Sequence, residues 1–428
     1  MDQKYYYKEL LNGINLLLIS IPGTKLATVE MRLKCGYLYE KKEQREYAHF
    51  VEHIQAKYTS TKYPNALENL QKFESRALTR NASTSFYKTN YWLSGNTKEL
   101  DFMLDIFINS FINFQLDEEN FEKEKKAIII ELNDRRLTDF DIFAKQIFYR
   151  GSNLNDITNI DGRINSINKA KPSDILEFRK MFYSTRNFWL CVCGDFEIKT
   201  IYKKIVKLVT NTQHLDYRVP KMNYIKYNIT NPEFHYYPST DNHIIVTFYI
   251  NYETRDKILI DMIINVLRDR LFKILRYEKN IIYDVYPPSF ESFNNGVSYI
   301  QYQIETNHYK SIMICLETML KQIKILKKKL LPKDELDRIK NVYMNKKYEE
   351  GLNHKFHKYI DRYVTQLMEN NLIVKGKYDL DFSQTILASN LLNISKSIFK
   401  KRKMQIIYTG EHDLTDDMKK LFTKTKKN

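Results

Sequence analysis

Residues 47–56 read Tyr47-Ala48-His49-Phe50-Val51-Glu52-His53-Ile54-Gln55-Ala56, with the pattern H-x-x-E-H at their centre. The stretch 45–56 has helical patterning, and on a helix His49 and His53 stand one turn apart with Glu52 beside them on one face. Two imidazole nitrogens placed in this way can grip one zinc ion. Glu52 cannot ligate comfortably alongside both, but its carboxylate can reach a water at the metal, which is where a general base is needed. Among the chain's nine histidines the pattern would arise by chance with a probability of about one per cent, so a pair of surface histidines beside an acid is the weaker reading.

A catalytic zinc needs a third protein ligand and an open position. The helical stretch 121–136, FEKEKKAIIIELNDRR, offers Glu122, Glu124 and Glu131. Glu124 and Glu131 are two turns apart and share a face, while Ile128 to Ile130 carry the helix inward. An acid directly after a buried isoleucine run needs a partner. Glu131 is therefore the expected third ligand of one Zn2+ per chain, and Glu124 an accessory acid that orients a ligand or handles protons. Taken alone, Glu122 and Glu124 could equally pair with Lys123 and Lys125.

The rest of the chain sets the frame. Its 428 residues suit several domains, and 43% hydrophobic and 14% aromatic residues exclude a disordered or fibrous class. The net charge of +16 would serve nucleic acid, an anionic membrane or an acidic peptide equally well; lysine runs at 327–329 and 400–403 read as solvated helix faces. No zinc finger, P-loop or aromatic RNA-binding signature accompanies that charge, so no specific nucleic-acid partner is expected. Cys35, Cys191, Cys193 and Cys315 lack zinc-cluster spacing, and Cys191 and Cys193 read as one buried strand face. Neither a signal sequence nor a run of 18 apolar residues is visible, which makes a soluble, cytoplasmic protein with no transmembrane segment the default expectation.

Patterning predicts strands around 14–21, 26–33, 81–94 and 188–192, and helices over 45–56, 66–76, 98–113, 118–136 and 173–183. A polar stretch containing Pro220 and Pro232 suggests a linker at 213–236 between an N-terminal domain, 1–212, and a C-terminal domain, 237–428. Beyond it, strands at 243–252, 297–305 and 404–408 and helices over 254–278, 307–325 and 332–369 repeat the order of the first half. Irregular alternation favours α+β, with two homologous domains, each a mostly antiparallel sheet covered by helices. His354 and His357 are too sparse for a further site.

Several segments together carry a resemblance: Leu11-Asn12-Gly13, Gly36, Ala48 to His53, Asn81-Ala82-Ser83-Thr84, the helix with Glu124 and Glu131, Gly194-Asp195, and Arg270 to Tyr283. On these the chain resembles the pitrilysin/insulinase family of inverted zincins, in particular its half-length members related to mitochondrial processing peptidase and their bacterial counterparts. The resemblance implies half of a clamshell, completed as a homodimer or by a homologous subunit. It also implies that Glu131 and Glu124 fall where the family keeps its third zinc ligand and accessory acid. Arg276 and Tyr283, seven residues apart, would contact the substrate carbonyl. Three positions depart from the family pattern: Glu46-Tyr47 stands where a glycine usually precedes the motif, Ser75 to Arg80 replace further glycines, and Asn280 replaces another.

The expected activity is a zinc metalloendopeptidase, with Glu52 taking a proton from water and returning it to the leaving amine. Asn81, Ala82 and Thr84 lie on a strand expected to receive the peptide by main-chain pairing, which favours short or unfolded peptides. Acidic peptides suit the basic charge, including the leader of a ribosomally made peptide or bacteriocin. The alternative is a non-catalytic subunit or assembly partner of a homologous peptidase, against which the complete quartet of site residues counts.

Overall fold

The apolar runs form the centres of two six-stranded sheets. The computed structural model describes the chain except residues 1–3, 136, 151–153, 155, 211–228, 251–255, 294–296, 353–355, 357–359, 362, 365, 366, 369–379 and 425–428. Positions 213–228 of the expected linker, and His354 and His357, lie outside the described residues.

The first sheet comprises β1 (Lys4–Glu9), β2 (Asn15–Ser20), β3 (Leu26–Leu33), β4 (Thr79–Thr84), β5 (Thr89–Asn96) and β6 (Trp189–Gly194), in the order β1-β2-β6-β3-β5-β4. Only β2 and β6 run parallel. β6 is buried throughout, including the free Cys191 and Cys193, as a central strand covered on both faces must be. Alternation along β3 sends Val29, Met31 and Leu33 into the helix-covered core and Glu30 and Arg32 to the opposite face, where Arg32 bonds Glu30 and Asp361.

The second sheet comprises β7 (Glu233–Pro238), β8 (His243–Ile250), β9 (Ile282–Val285), β10 (Ser289–Phe293), β11 (Val297–Thr306) and β12 (Met404–Gly410). Its order is β10-β11-β8-β12-β7, with β9 also on β11, and β12 and β7 form its parallel pair. The sequences β2-β6-β3-β5-β4 and β7-β12-β8-β11-β10 follow one plan. In each, an opening strand lies parallel to the strand that closes the half, and a hairpin extends from the other side. The shared plan is that of two homologous α+β domains with mostly antiparallel sheets, as the sequence pattern implies.

Helices α1 (Tyr47–Gln55), α2 (Ala66–Glu74), α3 (Leu100–Ile112), α4 (Glu118–Asp134), α5 (Asp139–Tyr149), α6 (Ile160–Lys169), α7 (Pro172–Phe182) and α8 (Ile198–Val209) belong to the first half of the sequence. All except α5 contribute to the core of the first sheet. Helix α5 instead lays Phe140, Phe143, Ala144 and Ile147 against Ile245 of β8 and Ile407 of β12. Each compact unit is therefore discontinuous: one takes residues 1–136, 152–224 and 350–371, the other 137–151, 225–349 and 372–428.

Two local differences from the patterning have physical reasons. The stretch 81–94 is a hairpin, not one strand: Ser85 N–H donates to the Lys88 carbonyl (2.9 Å) and Ser85 Oγ accepts from Lys88 N–H (3.3 Å), a turn that no glycine or proline announces. The helix expected over 254–278 begins at Lys257, widens to π geometry over Lys273–Glu278, and stops at Asn280, whose φ of 51° is left-handed.

Gly36 lies beside that hairpin turn. A β-carbon there would sit 2.2 Å from the Ser85 carbonyl oxygen and 2.9 Å from Phe86 backbone atoms. Gly36→Ala is expected to cost about 1–3 kcal/mol through this overpacking, read as a lowered denaturation midpoint.

Candidate metal centre

Helix α1 is fixed on three sides before any ligand is considered. Ala48, Phe50, Val51 and Ile54 enter the core, and Phe50 stacks on Phe121 of α4 at 4.7 Å between ring centres. At its far end Gln55 donates to the Ser110 carbonyl and accepts from Arg179. At its start the buried Glu40 carboxylate accepts from the backbone N–H groups of Glu46 (3.2 Å) and Ala48 (2.9 Å), an N-terminal cap supplied from outside the helix. Burial, then the neighbouring Glu46 charge, pushes the Glu40 carboxyl well above the usual carboxylate range.

On this support His49 and His53 project together, with their Nε2 atoms 3.1 Å apart. Helix α4 brings in Glu131, whose carboxylate oxygens lie 3.6 Å from His49 Nε2 and 3.6 Å from His53 Nε2. Four-coordinate zinc with bonds of about 2.0–2.2 Å needs donors about 3.3–3.6 Å apart; the two histidine–Glu131 separations of 3.6 Å reach that span and the 3.1 Å between the histidines falls just short of it. His49, His53 and Glu131 could therefore hold zinc with little movement, and they are the metal-competent cluster among the described residues.

The orientation of both rings is set from behind. His49 Nδ1 lies 2.9 Å from Glu46 Oε2, and His53 Nδ1 lies 2.9 Å from Glu124 Oε2. An ionised carboxylate only accepts, so each Nδ1 carries a hydrogen, and Nε2 is the atom that each ring can offer to a metal. Each acid is backed by a cation: Arg163 reaches Glu46 at 2.6 Å, and Lys57 reaches Glu124 at 2.5 Å. Burial raises both carboxyls, but for Glu46 the His49 bond and Arg163, and for Glu124 the His53 and Lys57 bonds, bring them below the ordinary value. Burial lowers His49, and the bond to Glu46 together with the Glu52 and Glu131 charges carries it above its ordinary value.

Glu52 lines the same cavity of about 500 Å³, and its carboxylate makes no hydrogen bond to the described residues. The cavity's other wall is β4, the edge of its sheet, through Asn81, Ala82, Ser83 and Thr84. Ala82 N–H is taken by the Asn81 side chain at 2.9 Å, the arrangement of an edge amide that has no strand partner. Lys57, Arg80 and Arg135 are at its rim, with Arg135 on Glu131 at 2.9 Å.

The structure thus gathers His49, Glu52, His53, Glu124, Glu131 and β4 around one cavity. Arg276 and Tyr283 stand in the other unit and meet each other: the guanidinium lies 5.3 Å from the Tyr283 ring centre and donates to the Ile282 carbonyl at 3.0 Å. Sequence reasoning named Glu46 only as a departure from the family's glycine, with no role at the centre, and did not name Arg163. The signal for Glu46 was its place three residues before His49, one turn back on the same face; Arg163, distant in sequence, gave none.

A chain with a metal-competent H-x-x-E-H helix, a third acid from a neighbouring helix, and a duplicated α+β plan has the build of an inverted zincin. Family descriptions agree: "Insulinase (Peptidase family M16)" matches residues 15–155, and "Peptidase M16 inactive domain" matches residues 169–343, the part without the motif. The chain belongs to the insulinase/pitrilysin family of peptidases. Human insulin-degrading enzyme is 26% identical over 251 residues, which cover 56% of this chain but only 23% of that protein. An uncharacterized zinc protease of Rickettsia bellii is 26% identical over 218 residues, covering 49% of this chain and 51% of that protein. The fold is shared with a protease from Helicobacter pylori (TM-score 0.77, 18% identity, 95% and 99% of the two chains covered) and with pitrilysin (0.70, 16%, 96% and 45%). No described helix is long and apolar enough to cross a membrane.

Proposed function

We propose that the chain is a zinc metalloendopeptidase acting on short or unfolded peptides. The observation that carries this reading is the convergence of His49, His53 and Glu131 at 3.1–3.6 Å with an unbonded Glu52 beside them. Zinc bound there supplies Lewis acidity to the scissile carbonyl and to the attacking water. Glu52 takes the proton of that water on its carboxylate and delivers it to the leaving amine nitrogen. Glu124 works through His53, which it orients. The open edge of β4 pairs with an extended peptide, so a folded protein, whose strands are already paired, is a poor substrate. Arg80 at the rim favours an acidic residue in that peptide, as in an acidic leader segment.

Family resemblance assigns Arg276 and Tyr283 to the substrate carbonyl. This chain corresponds to 45% of pitrilysin, which supports pairing with a second copy or a homologous subunit; sedimentation at micromolar concentration is expected to give a dimer if the copies pair with themselves.

The test is cleavage of a quenched fluorogenic peptide library by the full chain with and without a zinc chelator. Cleavage is expected to vanish on chelation and to return with added zinc; cleavage that survives a zinc-free preparation contradicts the reading. Acid should imitate the chelator. Protons compete with zinc for His49, whose pKa, despite burial, is raised above that of an ordinary histidine chiefly by its bond to Glu46, so zinc affinity measured by chelator competition should fall as the pH is lowered, and earlier than it would for an unperturbed imidazole.

A further inference from the structure

Glu46 occupies the residue just before α1 with φ of 76°, the left-handed region that a side chain with a β-carbon rarely adopts. It is 1% exposed. A glycine would adopt this backbone without strain, and the family resemblance puts a glycine just before the motif. A strained, buried acid at such a place calls for a compensating contact, and its bonds supply one. Oε2 accepts from His49 Nδ1 at 2.9 Å, while Oε1 accepts from Arg163 Nε at 2.7 Å and pairs with Nη2 at 2.6 Å. Arg163 donates also to the Ile157 carbonyl from α6, so the cation that holds Glu46 is itself held.

We propose that Glu46 is a positioning residue for the metal centre: it fixes the Nδ1–H tautomer and the ring angle of His49, so that Nε2 faces His53 and Glu131 before any metal arrives. It acts through His49 and touches neither metal nor substrate. Glu124 does the same for His53 from α4, and in both cases a basic side chain, Arg163 or Lys57, secures the acid. The inference rests on the zinc-site reading above and extends it to a residue outside the motif.

The experiment is the zinc dissociation constant of the full chain, read by competition with a fluorescent chelator, for wild type, Glu46→Gly and Glu46→Gln. Thermal midpoints of the zinc-free proteins are measured alongside. Glu46→Gly suits the left-handed backbone and removes the carboxylate, and it is expected to weaken zinc binding about 10–100-fold. Glu46→Gln keeps an acceptor oxygen for Nδ1–H and is expected to lie between the two, a partial rescue that a merely structural residue would not produce. If Glu46→Gly does not fold, the Gln variant alone decides: zinc binding weaker than wild type at an unchanged zinc-free midpoint supports the proposal, and equal binding overturns it. Equal zinc affinity in folded Glu46→Gly and wild type likewise overturns it while leaving the zinc reading intact. A wild type that binds no zinc removes that reading, and the proposal with it.

Discussion

Glu52→Gln lowers peptide turnover by about 10²–10⁴-fold while the chain keeps one zinc, because the substitution removes a proton acceptor and nothing else. Glutamine has nearly the size of glutamate, so the cavity wall is unchanged. The donors assigned to zinc are His49, His53 and Glu131, and none of their bonds runs through Glu52. The glutamate makes no hydrogen bond to the described residues, so its replacement frees no buried partner. The effect should fall on kcat, with KM little altered, since the peptide is held elsewhere. Zinc by mass spectrometry beside initial rates on a fluorogenic peptide checks both halves: unchanged rates with zinc in place would remove Glu52 from the chemistry.

Glu131→Ala takes the metal away and leaves the fold. Its side chain is 36% exposed and bonds Arg135 one turn on, an exposed pair worth about 0–1 kcal/mol, so the thermal midpoint of the zinc-free protein should move by no more than a few degrees. Zinc affinity should drop by more than the roughly 100-fold that losing a ligand's hydrogen-bond partner brings, because a donor itself is lost. Chelator competition and a thermal melt separate the two effects. A variant that retains wild-type affinity would mean that two histidines suffice or that another acid serves.

The parts of this centre that were legible in sequence are those whose spacing is local. H-x-x-E-H declares two nitrogens and an acid on one helical face, and the two-turn spacing of Glu124 and Glu131 puts both acids on one face of the next helix; the isoleucine run was a poorer guide, since of Ile128 to Ile130 only Ile128 is buried and Ile130 is exposed. The two-fold repetition was legible in part, from hydrophobic runs that became β8, β11 and β12; β7, β9 and β10 were not read, and β7 begins at Glu233, inside the stretch 213–236 read as a linker. What escaped was set by contacts distant in sequence or by chemistry with no pattern. Arg163 lies 117 positions from Glu46. Glu46 is a departure from the family's glycine, and only its backbone angle and its bond to His49 show what the departure does. The hairpin β4–β5 was read as one strand because Ser85 and Lys88 close the turn through a hydroxyl. Helix α5 has an ordinary apolar stripe, and nothing in that stripe tells which sheet it will cover; Ile245 and Ile407, both far along the chain, decide it.

The centre would be tested most directly by X-ray diffraction from zinc-loaded crystals of the full chain, with data collected on either side of the zinc absorption edge. One anomalous peak is expected, at about 2.0–2.2 Å from His49 Nε2, His53 Nε2 and a Glu131 carboxylate oxygen. An ion bound at other residues, or no peak between α1 and α4 in crystals grown with zinc, would contradict it.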